Sequence, residues 1–113
     1  MEARLKTGIW VKALIRRCEI EAVPAVVVRR GDDTAGVVLV KMNLLNGRAV
    51  LYSQARGALG QRIWLAHGVP EKAHWSEAEA DAYIDRQLKV DPDVWVIEIE
   101  DRKGRHFLTE PVE

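Results

Sequence analysis

The spacing of apolar and polar positions along the chain predicts two helices. Between residues 7 and 22, apolar side chains recur at helical spacing, and charged side chains fall mostly on the other side. Pro24 ends this first helix, because the residue before a proline is disfavoured in the helical conformation. A second apolar stripe predicts a helix over residues 77–89. Ser76 precedes this stripe, and Glu79 follows Ser76 by three residues, which is the spacing of a capping box.

Five strands are predicted from β-branched runs and alternating segments, over residues 25–30, 37–44, 48–56, 61–66 and 94–100. The second run is apolar on both faces at its start, which is typical of a strand inside a covered sheet. Asn46 and Gly47 predict a type I′ hairpin turn between the second and third strands. In the last strand, apolar residues are expected to face inward, and Glu98 and Glu100 are expected to face solvent.

The order α-β-β-β-β-α-β predicts an α+β fold, with a mainly antiparallel five-stranded sheet made of a four-strand meander and a C-terminal strand. In the simplest arrangement both helices cover one face of this sheet and leave the other face free. Residues 1–113 are expected to form a single domain, in which residues 104–113 are a loose tail because they show no pattern.

The composition is that of an ordinary globular domain. Apolar residues make up 48% of the 113 positions and charged residues 30%. Cys18 is the single cysteine, so neither an intrachain disulfide nor a multi-cysteine zinc site can form, and a reducing, cytoplasmic location is expected. No stretch approaches the roughly 20 apolar residues of a membrane span.

The zero net charge conceals an uneven distribution. Residues 1–62 carry eleven Lys and Arg against five Asp and Glu, whereas residues 63–113 carry six against twelve. The basic half could meet phosphates or carboxylates on another molecule, such as a nucleic acid, or only the acidic half of its own fold. The candidate binding surface consists of arginines with neighbouring turn acids and one tryptophan: Arg29, Arg30, Asp32, Asp33, Arg48, Arg56, Arg62 and Trp64. Trp64 could stack on a base or be a core residue, and the near-neutral isoelectric point argues against nucleic acid.

The loop of residues 30–36 brings glycines, arginines and two carboxylates together and could hold a small anion or a partner side chain. The same residue types are common in hairpin loops that bind nothing. It lacks the spacing of a nucleotide-binding loop.

Catalytic and metal-binding signals are weak. An acidic cluster followed by Lys103 could hold a hard cation, and it comprises Asp91, Asp93, Glu98, Glu100 and Asp101. Its members also suit turns and a solvated strand face. The three histidines lack the spacing of a helical metal pair, Cys18 falls on an apolar stripe, and no nucleophile elbow surrounds any serine. No catalytic residue, metal or cofactor is therefore assigned.

Several blocks of sequence resemble the domain of unknown function 1491 family of short bacterial proteins: residues 4–6 with 9–11, 16–19, 24–32, 77–84 and 91–102. The resemblance covers nearly the whole chain and implies a small single-domain protein with no activity assigned to it.

Three functions are consistent with the sequence. The favoured one is a non-catalytic protein-interaction or regulatory domain, whose partner is another protein or a second copy of the chain. A nucleic-acid-binding module is the alternative, and a metal-dependent hydrolase that uses residues 91–101 is the third.

Overall fold

A computed structural model of the chain describes residues 5–113. Residues 1–4 of the predicted domain, and with them residue 4 of the first resembling block, lie outside the described residues. It contains two helices and five strands: α1 (Thr7–Ile20), β1 (Ala25–Arg29), β2 (Val38–Asn43), β3 (Ala49–Arg56), β4 (Arg62–His67), α2 (Glu77–Val90) and β5 (Trp95–Glu100). The predicted order α-β-β-β-β-α-β is confirmed.

The strands form one mixed sheet in the order β1-β5-β2-β3-β4. The predicted four-strand meander is wrong, because β5 lies between β1 and β2 and separates them. It pairs antiparallel with β1 and parallel with β2, so only β2, β3 and β4 form a meander. The sheet is therefore antiparallel except for one parallel pair.

The two helices lie on opposite faces of the sheet, which corrects the expectation that both cover one face. On the first face, α1 packs through residues such as Leu14 and Cys18 against the odd-numbered residues of β5 and the even-numbered residues of β2. On the second face, Ile84 of α2 packs against Leu39, Leu51 and Val96. Because successive strand residues point to opposite faces, the central strands are buried on both sides.

Helix α1 ends before Pro24 is reached. The Ala22 and Val23 amides donate to the carbonyls of Glu19 and Cys18, and Ala22 adopts a left-handed φ of 56°. This is the Schellman arrangement, which satisfies the last carbonyls of a helix. It sets the sharp turn that leads from α1 into β1.

The hairpin between β2 and β3 has a three-residue loop instead of the predicted type I′ turn. Leu44 and Arg48 close the loop through a 3.1 Å backbone hydrogen bond. Leu45 and Gly47 have positive φ angles of 61° and 85°, whereas Asn46 does not. The Asn46 side chain instead accepts from the Arg48 amide, which is a common role of asparagine in turns.

The sequence predicts a loose tail over residues 104–113, but the end of this segment is held against the fold. Its last residues run beside the outer edge of β4, where the Trp64 amide donates to Pro111 and the Glu113 amide donates to Trp64. Glu110 accepts hydrogen bonds from both Trp10 and Trp64. Neither α1 nor α2 is long and apolar enough to cross a membrane.

Candidate functional site

A buried lysine lies between the sheet and α2. Lys41 is in β2, a strand of six buried residues, and its side chain is 6% exposed. Its odd position points it to the α2 face, where its ammonium lies 2.9 Å from Asp81 and 3.1 Å from Glu77. Glu98 of the paired strand β5 completes the cluster at 3.6 Å. We call these four residues the Lys41 cluster.

The Lys41 cluster holds an excess of negative charge. Asn43 donates from its side-chain amide to both Glu77 and Glu98, which ties the helix to the sheet. Burial alone would lower the pKa of Lys41, but its hydrogen bonds to Asp81 and Glu77 outweigh that effect, and the pKa lies above the ordinary lysine value. The lysine therefore stays charged, and one positive group faces three carboxylates.

The geometry of the cluster follows from local signals in the sequence. Ser76 caps α2 by accepting from the Glu79 amide, and the Glu79 side chain accepts in return from the Ser76 amide, so the predicted capping box is confirmed. Ala80 and Ile84 are the buried residues of the helix. Asp81 and Asp85 directly follow these two buried residues, so both carboxylates lie on the side of α2 that borders β5.

A groove of about 350 Å³ lies beside α2 on this face. Its walls come from one side of the helix and from β1, and its floor comes from β5. The lining residues are Val28, Arg29, Lys41, Asp81, Ile84, Asp85, Leu88, Val96 and Glu98. Helix α2 packs against β2, β3 and Val96 of β5, and among residues 5–113 no helix lies over β1 on this face. We call this surface the α2 groove.

Strand β1 forms the outer wall of the α2 groove and the edge of the sheet. Its residues Val26, Val27 and Val28 are 53%, 41% and 58% exposed. Glu100 donates to the Pro24 carbonyl, so alternation in an antiparallel pair turns the amides of Ala25 and Val27 outward. Within residues 5–113, no strand pairs with this edge. A bulge after Val27 interrupts the pairing with β5.

The arginines that were predicted to form a binding surface are dispersed. Arg29 lines the α2 groove and donates to the Pro92 carbonyl. Arg30 lies over the Trp95 ring and near Asp33, and Arg48 contacts His74. Arg56 and Arg62 pair on strands at the opposite side of the sheet from β1. The structure therefore does not bring these five side chains to one face.

The remaining candidate residues stabilise the fold. The Asp32 side chain accepts from the amides of Thr34 and Ala35, and its carbonyl accepts from the Trp95 indole. The Asp33 carbonyl accepts from the Gly8 amide at the start of α1. These contacts make residues 30–36 a structural loop. Trp64 is fully buried and stacks on Trp10 at 5.5 Å, so it is a core residue and not part of a binding surface.

The acidic cluster of residues 91–101 does not assemble. Asp91 accepts from the Asp93 amide in the turn after α2. Asp101 pairs with Arg105 at 2.9 Å, and these hydrogen bonds lower the pKa of the Asp101 carboxyl. Glu98 was expected to face solvent, but it contacts Lys41 because β5 is a central strand. In the described part of the chain, no group of three or more acidic, histidine or cysteine side chains could hold a metal ion.

A serine and a histidine meet on the same face as α2. Ser53 Oγ and His67 Nε2 share a 2.9 Å hydrogen bond, and burial lowers the pKa of His67. The His67 ring packs between Trp75 and Tyr83, with centroids 5.5 and 5.1 Å away. A nucleophilic pair needs a third group that orients the base, and no carboxylate of the described residues bonds to His67. The pair is best explained as a satisfied polar contact in a partly buried aromatic cluster.

Sequence reasoning missed Lys41 and the α2 groove. A single lysine inside the apolar run of β2 was a usable signal, because a charged residue in a central strand requires a partner. The acids at positions 77 and 81 have the spacing of one helical turn, which was a second signal. Only the fold shows that they meet.

Comparison with known proteins gives a family and a fold. The model of a family described as "Protein of unknown function (DUF1491)" matches residues 5–109. No curated protein matches the chain.

Solved structures agree along nearly the whole chain. A crystal structure of a DUF1491 family protein from Caulobacter crescentus CB15 has 50% sequence identity and a TM-score of 0.85, and the match covers 97% of this chain and all of that one. An NMR structure of a DUF1491 family protein from the same organism has 50% identity and a TM-score of 0.83, with 99% of each chain covered. The solution structure of protein Atu0922 from A. tumefaciens has 29% identity, a TM-score of 0.79 and 98% of each chain covered.

Proposed function

The chain belongs to the DUF1491 family of proteins of unknown function, and we propose that it is a non-catalytic interaction domain that binds a partner protein in the α2 groove and along β1. The observation that carries the proposal is the uneven covering of the sheet. On its first face, α1 and the C-terminal segment lie over the strands. On its second face, α2 covers β2, β3 and β5 but not the edge strand β1.

The uncovered part of the sheet is apolar where solvent reaches it. Val26 and Val28 both point to the α2 face, because Val26 pairs with Glu98 and Val28 lines the α2 groove. Single exposed valines are ordinary, but two on the same face of an unpaired edge strand are a feature of interaction surfaces. The two edges of the sheet also differ. The C-terminal segment lies along the β4 edge, whereas the β1 edge is open among residues 5–113.

The polar groups at this site support binding over catalysis. A catalytic group must be free to exchange a proton or to attack a substrate. Lys41 donates to Glu77 and Asp81 and forms an ion pair with Glu98 at 3.6 Å, and the cluster couples α2 to the sheet. The α2 groove is moreover acidic, which disfavours the phosphate backbone of a nucleic acid. A single buried cysteine suits action in the cytoplasm.

Site-specific photocrosslinking inside cells that produce the protein tests this function. A benzophenone amino acid replaces Val28 in one variant and Val90 in a control, and both valines are exposed. The proposal expects a discrete adduct with one protein at position 28 and none at position 90. It is rejected if position 28 gives no adduct, or if both positions give the same mixture of adducts.

A further inference from the structure

We infer that two copies of the chain pair antiparallel through β1, about a twofold axis at Val26, so that their sheets join into one. This inference rests on the proposed function and identifies the partner along β1 as a second copy. Three properties of this edge support it: the direction of its free backbone groups, its exposed valines and the charges beside its two ends.

The free backbone groups of β1 are arranged so that the strand can pair with itself. The Pro24 carbonyl accepts from the Glu100 amide, which fixes the phase of the antiparallel ladder with β5. In that phase, the N–H and C=O groups of Ala25 and Val27 point away from β5. With the axis at Val26, Ala25 of each copy lies opposite Val27 of the other. All of these outward donors and acceptors are then satisfied, and no strand within residues 5–113 already pairs with them.

The exposed valines of β1 would cover one another in this pairing. Val26, Val27 and Val28 are 53%, 41% and 58% exposed. Edge strands are commonly protected from pairing by charged side chains, and β1 has none before Arg29. On the α2 face, Val26 would contact Val26 of the second copy at the close spacing of a non-hydrogen-bonded pair. The bulge after Val27 limits the regular edge to residues 25–27, so we expect the pairing to be weak.

The charges beside β1 favour the antiparallel direction. Arg17 donates to the Phe107 carbonyl in the segment after β5, so Glu19, on the opposite side of α1, lies toward the β1 edge. Arg30 follows β1 and lies over the Trp95 ring, on the sheet face that α1 covers. The Glu19 and Arg30 side chains are 60% and 72% exposed. Antiparallel pairing brings Glu19 of each copy to the end of β1 where Arg30 of the other lies.

The helices leave room for this pairing. On the first face α1 packs over β5 and β2, and on the second face α2 packs over β2, β3 and β5. Strands lie about 4.8 Å apart, so helices over the two β5 strands would be roughly 14 Å apart across the joined edges. Packed helices need only about 8–10 Å between their axes. Neither helix would therefore overlap its copy, and the contact is confined to β1 and the flanking charges.

Sedimentation velocity of the full chain over a series of concentrations tests the inference. The mass should rise from 12.8 kDa toward twice that value, with a Kd on the order of 100 µM for so small an interface. Val27→Pro removes one outward donor from each copy but no hydrogen bond to β5, and proline is tolerated at such edge positions. It should weaken dimerisation at least about tenfold. Val27→Thr keeps the donor and the β-branched shape, and is the matched control that should still dimerise.

Charge reversal tests the direction of the pairing. Glu19→Arg and Arg30→Glu should each weaken dimerisation about fivefold or more, because like charges then meet twice in every dimer. An equimolar mixture of these two variants should restore dimerisation, since each mixed dimer again pairs opposite charges. The control mixture combines Arg30→Glu with Glu113→Arg, an exposed residue beside β4 at the opposite edge of the sheet, and should restore nothing.

A chain that keeps the monomer mass at every concentration would overturn the inference. A dimer that Val27→Pro leaves unchanged would do the same, as would two charge variants whose mixture stays monomeric. If circular dichroism shows that Val27→Pro does not fold, the mixture of charge variants decides.

The photocrosslink at position 28 separates this inference from the proposed function. An adduct of twice the monomer mass supports both. A monomeric chain that is crosslinked at position 28 to a different protein would leave the interaction function standing and remove only the second copy.

Discussion

The Lys41 ammonium lies 2.9 Å from the Asp81 carboxylate, and only 6% of the lysine side chain is exposed. Lys41→Met should lower the free energy of unfolding by about 1–3 kcal/mol, because three carboxylates then lose their common cation while remaining partly solvated. Urea denaturation measures the change. Lys89→Met, an exposed lysine at the end of α2, is the matched control and should cost less than about 0.5 kcal/mol.

The Lys41 cluster also predicts alkaline sensitivity. The folded-state pKa of Lys41 is raised, so its contribution is complete below the unfolded value of about 10.4 and is lost as the pH rises through the folded value. The natural chain should therefore lose stability above about pH 10.4 more steeply than Lys41→Met does. Parallel curves for the two proteins would contradict this assignment.

Two partly buried histidines predict sensitivity to mild acid. Burial lowers the pKa of His67 and of His106 below the ordinary histidine value of about 6.5. Each group then contributes stability above pH 6.5 that is lost as the pH falls toward the folded-state pKa, since the unfolded chain takes up the proton first. Between about pH 7.5 and 5, thermal unfolding should show a flatter dependence on pH in His67→Asn and in His106→Asn, and the flattest in the double variant.

The Glu110 carboxylate is expected to hold the C-terminal segment in place. It accepts from the indoles of Trp10 and Trp64 at 3.2 and 3.0 Å, and both rings are buried. Glu110→Ala leaves two buried N–H donors without an acceptor and should cost about 2–4 kcal/mol. Guanidinium denaturation, monitored by tryptophan fluorescence, measures the loss of stability. The tryptophan emission of the folded variant should also shift to the red. Glu113→Ala, in the same segment but exposed, should change stability by less than about 0.5 kcal/mol.

Gly31 is expected to tolerate no side chain. A Cβ at this position would overlap the Asp93 carbonyl and the Trp95 amide, so the loop and β5 would have to separate. Gly31→Ala should therefore cost about 1–3 kcal/mol. Gly47→Asn is a useful comparison, because Gly47 has open space around it and a φ of 85° that asparagine tolerates better than most residues. If the two variants proved equally stable by calorimetry, the close approach at Gly31 would be refuted.

The elements of the fold were predictable because their signals are local. The capping box at Ser76 and Glu79 set the start of α2 correctly, and apolar runs located all five strands to within about two residues. The end of α1 was misplaced, since the left-handed residue that ends it is Ala22, not the glycine that usually marks such an end.

The order of the strands was not predictable in the same way. Alternation in β5 suggested a solvated face, because Glu98 and Glu100 follow apolar residues. A charged residue on a central strand is permitted when a buried partner of opposite charge meets it, and here Lys41 comes from a strand 57 residues earlier in the sequence. The apolar character of both faces of β2 did indicate a covered position, but it did not identify the neighbour.

The candidate site, like the strand order, was mostly not predictable from the sequence. Of the candidate binding surface proposed from the sequence, Arg29 alone lines the α2 groove, and Trp64 is buried on the opposite face. Arginine content marked a basic half of the chain but could not show which side chains share a surface. The groove results from where α2 lies across the sheet, which depends on packing between residues far apart in sequence.

The central place of β5 has a consequence for how the chain acquires its structure during synthesis. The strand emerges from the ribosome after the other four strands of residues 5–113, yet β1 pairs with it alone and β2 pairs with it along one edge. Until it arrives, a nascent chain can form the β2-β3-β4 meander but must keep β1 apart from it. Such late, long-range closure raises the contact order and slows folding, and it exposes unpaired strand edges to chaperones.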